Sequence, residues 1–149
     1  MSEFWRISAH KGHEGIGGLY VSGRWHNVGR HIVYSAEHPA LALVETMAHL
    51  DLSLDDVPTN LMLFKIEIDT SLPTAVPTLP NGWQANQPMT RKIGDSWLKS
   101  ANEPLLKVPS AILPHTTNII VNPQHPAILG GGLVEISQEP IWIDPRFLR

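Results

Sequence analysis

Arg24, Tyr34 and Glu45 stand ten and eleven residues apart, each in a setting suited to chemistry on a charged molecule. Arg24 lies in the turn-rich stretch Ser22-Gly23-Arg24-Trp25. A guanidinium held by a turn offers a planar fork to a phosphate or carboxylate. Tyr34 closes the apolar run HIVY, and its ring offers a face for stacking a planar group. Glu45 is the only carboxylate in the otherwise largely apolar stretch Pro39–Leu50. Burying it unpaired is expensive, so it either lines a cleft or faces water. In a cleft it would stabilise positive charge or handle a proton. Each residue also has a plainer reading. Glu45 would face water beside Thr46 and His49, Arg24 would be a surface arginine, and Tyr34 a core tyrosine with its hydroxyl at the rim.

Other chemistry-bearing residues form no pattern of comparable force. The eight histidines (His10, His13, His26, His31, His38, His49, His115 and His125) are scattered, and none forms the His-Glu-x-x-His arrangement of a zinc hydrolase, so no metal is expected. The glycines at 15, 17 and 18 lack both the Lys-Ser/Thr of a phosphate-binding P-loop and the spacing of a dinucleotide fingerprint. The absence of cysteine excludes disulfides, thiolate catalysis and thiolate metal sites.

The elements that must position these side chains are short. Residues 4–8 (FWRIS) read as a strand, followed by a glycine-rich loop through residues 10–23, and residues 31–35 as a second strand. A helix N-cap falls within 35–37, with Pro39 in the first turn and the helix running to about Leu50. Residues 61–68 (LMLFKIEI) are the clearest strand. Residues 69–89, with four prolines, read as a long ordered loop of the kind that forms lids or binding surfaces. A short helix is expected from Gly94 to Ser100, then strands over 105–113 and 118–121, with Pro109 implying an edge or a bulge. The three glycines at 130–132 mark a tight turn before closing strands at 134–137 and 141–143. Many short strands with one or two helices predict a single α+β domain over residues 1–149.

Bulk properties narrow the function classes. Of the 149 residues, 42% are apolar and 17% charged, a globular composition with room for a core. A net charge of −3 with no basic run argues against direct binding of nucleic acid. The N-terminus lacks the pattern of a signal peptide, and no apolar run reaches the ~20 residues needed to span a bilayer. A soluble cytoplasmic protein is expected.

The segment GLYVSGRWHNVGRHIVYSAEHPALALVETMAHL resembles the core motif of the RES-domain family, through Gly23, Arg24, Trp25, Gly29, Tyr34 and Glu45. Trp5-Arg6-Ile7, Gly94-Asp95-Ser96-Trp97-Leu98, Val108-Pro109-Ser110-Ala111 and the run from Asn118 to Pro126 extend the resemblance over most of the chain. Many members carry Asn directly after the tryptophan, where this chain has His26 followed by Asn27.

The resemblance implies an ADP-ribosyltransferase-like fold and the toxin of a toxin–antitoxin pair that consumes NAD as substrate, with no cofactor. It implies catalytic roles for Arg24, Tyr34, Glu45 and Ser110, and NAD-binding roles for Arg6, Trp25, Asn27 and Asn118. A helix-turn-helix antitoxin of the Xre type is the implied partner, blocking the active site in a hetero-oligomer. Three activities stay open: loss of NAD by hydrolysis or phosphorolysis (a glycohydrolase or NAD phosphorylase, with phosphate as co-substrate), mono-ADP-ribosyltransferase action on a protein, and a non-catalytic binding module.

Overall fold

The computed structural model describes residues 1–50 and 58–148. Seven strands form one sheet: β1 (Ser2–Ser8), β2 (Val33–Ala36), β3 (Met62–Ile68), β4 (Thr74–Ala75), β5 (Leu105–Pro109), β6 (Thr117–Val121) and β7 (Leu133–Pro140). Their spatial order is β4-β5-β6-β2-β1-β3-β7. Every pairing is antiparallel except the short parallel one between β4 and β5. Two α-helices, α1 (Pro39–Leu50) and α2 (Gln87–Ser100), complete the expected α+β architecture among the described residues.

Register decides which side chains meet. Residues directly opposite in neighbouring strands share a face. Trp5, Ala36, Asn118 and Val108 therefore form one row across the sheet, and Tyr34, Ile120 and Leu106 another on the same face. Helix α1 covers one end of that face, with Leu41 and Ala42 packed on Ala36, Trp5 and Ile7. Helix α2 covers the other, where Trp97 joins Leu106, Val108 and Ile120. The opposite face carries a second core of Phe4, Val33, Phe64, Ile66, Leu105 and Ile128.

Strands β1 and β2 register through a single pair, Trp5 with Ala36. Beyond it the two strands part, while each stays paired on its outer edge, β1 with β3 and β2 with β6. That gap becomes the cleft described below.

Several boundaries differ from the sequence expectation, each for a local reason. The cap of α1 is His38, whose Nδ1 accepts from the Ala40 N–H at 3.0 Å, while Glu37 instead accepts from the Thr117 N–H at 2.9 Å. The expected loop over 69–89 holds β4 and a 3-10 turn, Trp83–Ala85. Helix α2 starts at Gln87 rather than Gly94, because Asn86 caps it by accepting from the Met89 N–H at 3.2 Å and Pro88 fits its first turn. Strand β5 stops at Pro109, four residues short of expectation. There Ser110 Oγ accepts from the N–H groups of Ile112 and Leu113, both at 3.1 Å, and turns the chain. Pro109 lies beyond the reach of β4, whose two residues pair with Leu105 and Leu106, so its missing N–H costs no ladder bond. A wide helical turn, Ile128–Gly132, precedes β7, one continuous edge strand that replaces the first of the two expected closing strands. Ile141 only caps it, donating to the Leu61 carbonyl at 3.2 Å.

Candidate active site

The turn from Gly23 to His26 is folded around the Tyr34 hydroxyl. That hydroxyl accepts from the Trp25 N–H at 3.1 Å and lies 2.7 Å from His26 Nδ1. His26 Nδ1 also accepts from the Gly23 N–H at 3.2 Å, so the ring proton sits on Nε2, 3.3 Å from the Gly18 carbonyl. Tyr34 therefore donates to His26. Burial lowers the His26 pKa and pushes the Tyr34 pKa well above the ordinary tyrosine range, so both are neutral near pH 7. Gly23 is required here, since a Cβ would lie 2.4 Å from the Tyr34 hydroxyl.

Helix α2 clamps the same turn from outside. Thr90 Oγ1 donates to the Arg24 carbonyl at 2.6 Å, and Arg91 Nε donates to the Gly23 carbonyl at 2.8 Å. Gly94 allows the approach, because a Cβ there would come within 1.6 Å of the Trp25 oxygen. The Arg24 side chain, thus anchored at its root, donates from Nη1 to the Gln84 carbonyl at 2.6 Å.

Glu45 projects from α1 toward the row that holds Asn118. Its Oε1 accepts from Ser110 Oγ at 2.6 Å and from Asn118 Nδ2 at 3.0 Å. Among the described residues Oε2 accepts nothing. Among the described residues no buried side-chain oxygen or nitrogen lacks a partner, and Glu45 lines the cleft. The helix carboxylate is neither a solvated surface charge nor a buried orphan. Two donors, one on β6 and one just past β5, fix one oxygen, and the other meets no donor among the described residues.

The cleft has a volume of about 380 Å3 and lies at the fork between β1 and β2. Its walls include Arg6, Ile7 and His10 from the β1 side, Arg24, His26 and Tyr34 from the turn and β2, and Glu45, Thr46 and His49 from α1. A recess of about 80 Å3 adjoins it, sharing Arg6, Tyr34 and Glu45 and adding Asn118. The arrangement holds a carboxylate, an aromatic face and two guanidinium groups around one volume. Such a site suits a ligand with an anionic part and a reacting centre that becomes positive. Among the described residues no three His, Asp or Glu side chains gather as metal ligands.

The residues singled out from the sequence fall into three groups. Arg6, Arg24, Tyr34, Glu45 and Asn118 meet at the cleft or its recess. Ser110 is buried behind Glu45 and reaches the site through it. Trp25 and Asn27 lie elsewhere. Trp25 is a core residue, 2% exposed, with its ring 5.8 Å from that of Trp83. Asn27 gives its N–H and its amide to Asp95, at 3.1 and 2.7 Å, fastening the loop to α2. Sequence reasoning did not bring out Gln84, Thr46 and His49. His49 follows Glu45 by four positions, the spacing of one helix face, so its signal was present; Thr46, the very next residue, carried none.

The family model described as the RES domain matches residues 3–144. A protein named Toxin Res from Pseudomonas putida is 46% identical over 123 residues, which cover 82% of this chain and 85% of that one. A Prs ADP-ribosylating toxin from Sphingobium sp. YBL2 is 37% identical across 99% of this chain and 98% of its own length. This chain belongs to the RES domain family. In fold it is similar to the crystal structure of the M. tuberculosis MbcT-MbcA toxin-antitoxin complex. The TM-score is 0.68 at 15% identity, covering 94% of this chain and 84% of that one.

Proposed function

We propose that this chain is the toxin of a toxin–antitoxin pair and acts by cleaving the nicotinamide–ribose bond of NAD. The observation that carries the reading is Glu45, with Oε1 held by Ser110 and Asn118 and Oε2 without a donor among the described residues, in a cleft that Tyr34 and two arginines also line. Cleavage breaks the bond between ribose C1′ and the pyridinium nitrogen. The electron pair leaves with nicotinamide, which departs neutral, and positive charge spreads over C1′ and the ring oxygen. Glu45 Oε2 stabilises that charge and accepts from a ribose hydroxyl. The Tyr34 ring holds the nicotinamide; its hydroxyl is already spent on His26. Arg24 and Arg6 hold the pyrophosphate, or phosphate when it is the acceptor. Because the leaving group is cationic before cleavage, no general acid is required.

The test is incubation of purified protein with NAD, with and without inorganic phosphate. Free ADP-ribose identifies hydrolysis, and ADP-ribose 1″-phosphate identifies phosphorolysis. Glu45→Gln is expected to keep the fold and abolish NAD loss. Near-full NAD consumption by the Glu45→Gln protein would overturn the mechanism. A second reading, transfer of ADP-ribose to a protein, is favoured by the name of the Sphingobium relative and would appear as a labelled protein band.

A toxin must be kept silent, so we also propose a helix-turn-helix antitoxin of the Xre type as partner. It would cover the cleft in a hetero-oligomer, in the cytoplasm where its substrate is found. The likeness to one chain of a toxin–antitoxin complex supports an antitoxin partner; its Xre type rests on the family resemblance. Among the described residues no helix is long and apolar enough to cross a membrane. Co-expression with the protein encoded beside it is expected to restore growth and NAD levels together.

A further inference from the structure

Among the described residues Arg6 is the only buried arginine or lysine, 9% exposed, and none of their carboxylates lies within ion-pair distance of it. Its guanidinium lies 5.1 Å from the centre of the Phe64 ring. A buried cation without an ion pair is costly, so its retention calls for a partner or a purpose. Burial lowers its pKa to about 10, with Glu135 and Glu14 acting the other way, so it stays charged at neutral pH.

Among the described residues only Nη1 of Arg6 finds a partner. It donates to the Gly12 carbonyl at 3.1 Å and meets His13 Nδ1 at 2.9 Å. Since arginine has no acceptor, His13 Nδ1 must accept, which places the imidazole proton on Nε2. Nε2 then donates to Glu135 Oε1 at 2.8 Å. The imidazole stands edge-on to Phe64, its ring centre 5.1 Å away, so its plane is held as well. A relay runs from Glu135 on β7 through His13 to Arg6 on β1. The Nε and Nη2 atoms of Arg6 have no partner among the described residues. Arg6 lines both the cleft and its recess, which leaves these donors for a ligand there.

We propose that His13 is a positioning residue. As a neutral bridge from Glu135, it fixes the Arg6 guanidinium so that its Nε–Nη2 edge is presented to the pyrophosphate of a dinucleotide in the cleft. The assignment of the ligand rests on the NAD reading above; the relay itself does not. Protonation of His13 would remove its acceptor and set a second cation beside Arg6. The charged groups facing His13 are Arg6 from β1, Glu135 from β7 and Glu14 from its own loop, with Phe64 of β3 beneath. Desolvation is the largest influence on this imidazole and holds its pKa below the ordinary histidine value, so the neutral bridge prevails at pH 7.

The experiment pairs steady-state kinetics with NMR on the full chain. His13→Phe keeps a flat ring but has neither acceptor nor donor. It is expected to raise KM for NAD about tenfold, the order of one hydrogen bond to a charged group, with kcat within about twofold. His13→Gln, which can accept from Arg6 and donate to Glu135, is expected to restore most of that loss. KM of wild type is expected to rise as pH falls and protonates His13, and His13→Gln should abolish that rise. A purely structural His13 would change the thermal midpoint in both variants while leaving KM and its pH profile alone. 15N-histidine spectra of wild type are expected to show His13 neutral with the proton on Nε2 at pH 7. Either an unchanged KM in folded His13→Phe or a proton on Nδ1 would overturn the proposal. If wild type turns over no NAD, the functional reading fails. Titration with inorganic pyrophosphate then decides the relay: Arg6 side-chain signals should shift in wild type and not in His13→Phe.

Discussion

Ser110 and Glu45 lie 65 residues apart in the chain and meet through a 2.6 Å hydrogen bond in which the hydroxyl donates. The same hydroxyl accepts from two backbone N–H groups of the turn that ends β5. The turn therefore sets the hydroxyl, and the hydroxyl sets the carboxylate. Ser110→Ala should lower kcat for NAD cleavage roughly 10- to 100-fold, the range for losing one hydrogen bond to a charged group. Asn118→Ala should cost a similar factor. Because both donors act on one oxygen, the double variant should lose less than the product of the two, as a four-point cycle of kcat/KM would show.

Arg24→Lys replaces a planar fork with a point charge. The lysine could still reach toward the Gln84 carbonyl that Arg24 contacts, but it has no second edge for a phosphate. We expect KM for NAD to rise at least tenfold with a smaller change in kcat. A fall in kcat at unchanged KM would place Arg24 in the chemical step instead.

His13 and His26 both have pKa values held below 6.5, chiefly by desolvation. In the unfolded chain each takes up a proton near pH 6.5, while the folded chain resists it. The unfolded state thus binds more protons as pH falls, and stability must decrease from about pH 6.5 downward until the folded imidazoles themselves titrate. Urea unfolding between pH 8 and 5 should show this slope, and His26→Asn should make it shallower.

Gly94→Ala places a methyl group 1.6 Å from the Trp25 oxygen, so α2 must retreat from the turn it clamps. Destabilisation of about 1–3 kcal/mol is expected, measured by denaturant unfolding. Loss of the Thr90 and Arg91 bonds to that turn should accompany it, raising KM for NAD as Arg24 loses its footing.

The strand-rich α+β pattern and α1 were readable because apolar periodicity is local. Helix α2 was the main local miss. Its four neighbouring prolines suggested a loop, although Asn86 and Pro88 together spell a capped start. Glu45 was conspicuous on its helix, but its donors come from 65 and 73 residues away, a distance that no window of sequence shows. Asn27 illustrates the reverse. It adjoins the chemistry-bearing turn in sequence, yet its side chain points to Asp95 on α2, because a turn sends neighbouring side chains in different directions. His13 gave no signal, since its meaning depends on Arg6 and Glu135 reaching it from two strands.

Strands β1 and β2 share one register pair and then diverge, so the two walls of the cleft are not joined to each other by a ladder. A wider or narrower mouth therefore costs no ladder bond between β1 and β2. Its width is set by side chains and by the loop bonds that tie Gly15 and Gly18 to Gly29, Arg30 and Ile32, while each half-sheet keeps its own ladder. Two related chains could then admit ligands of different girth by exchanging a few residues along Arg6–His10 or Ile32–Tyr34, with every strand left where it is.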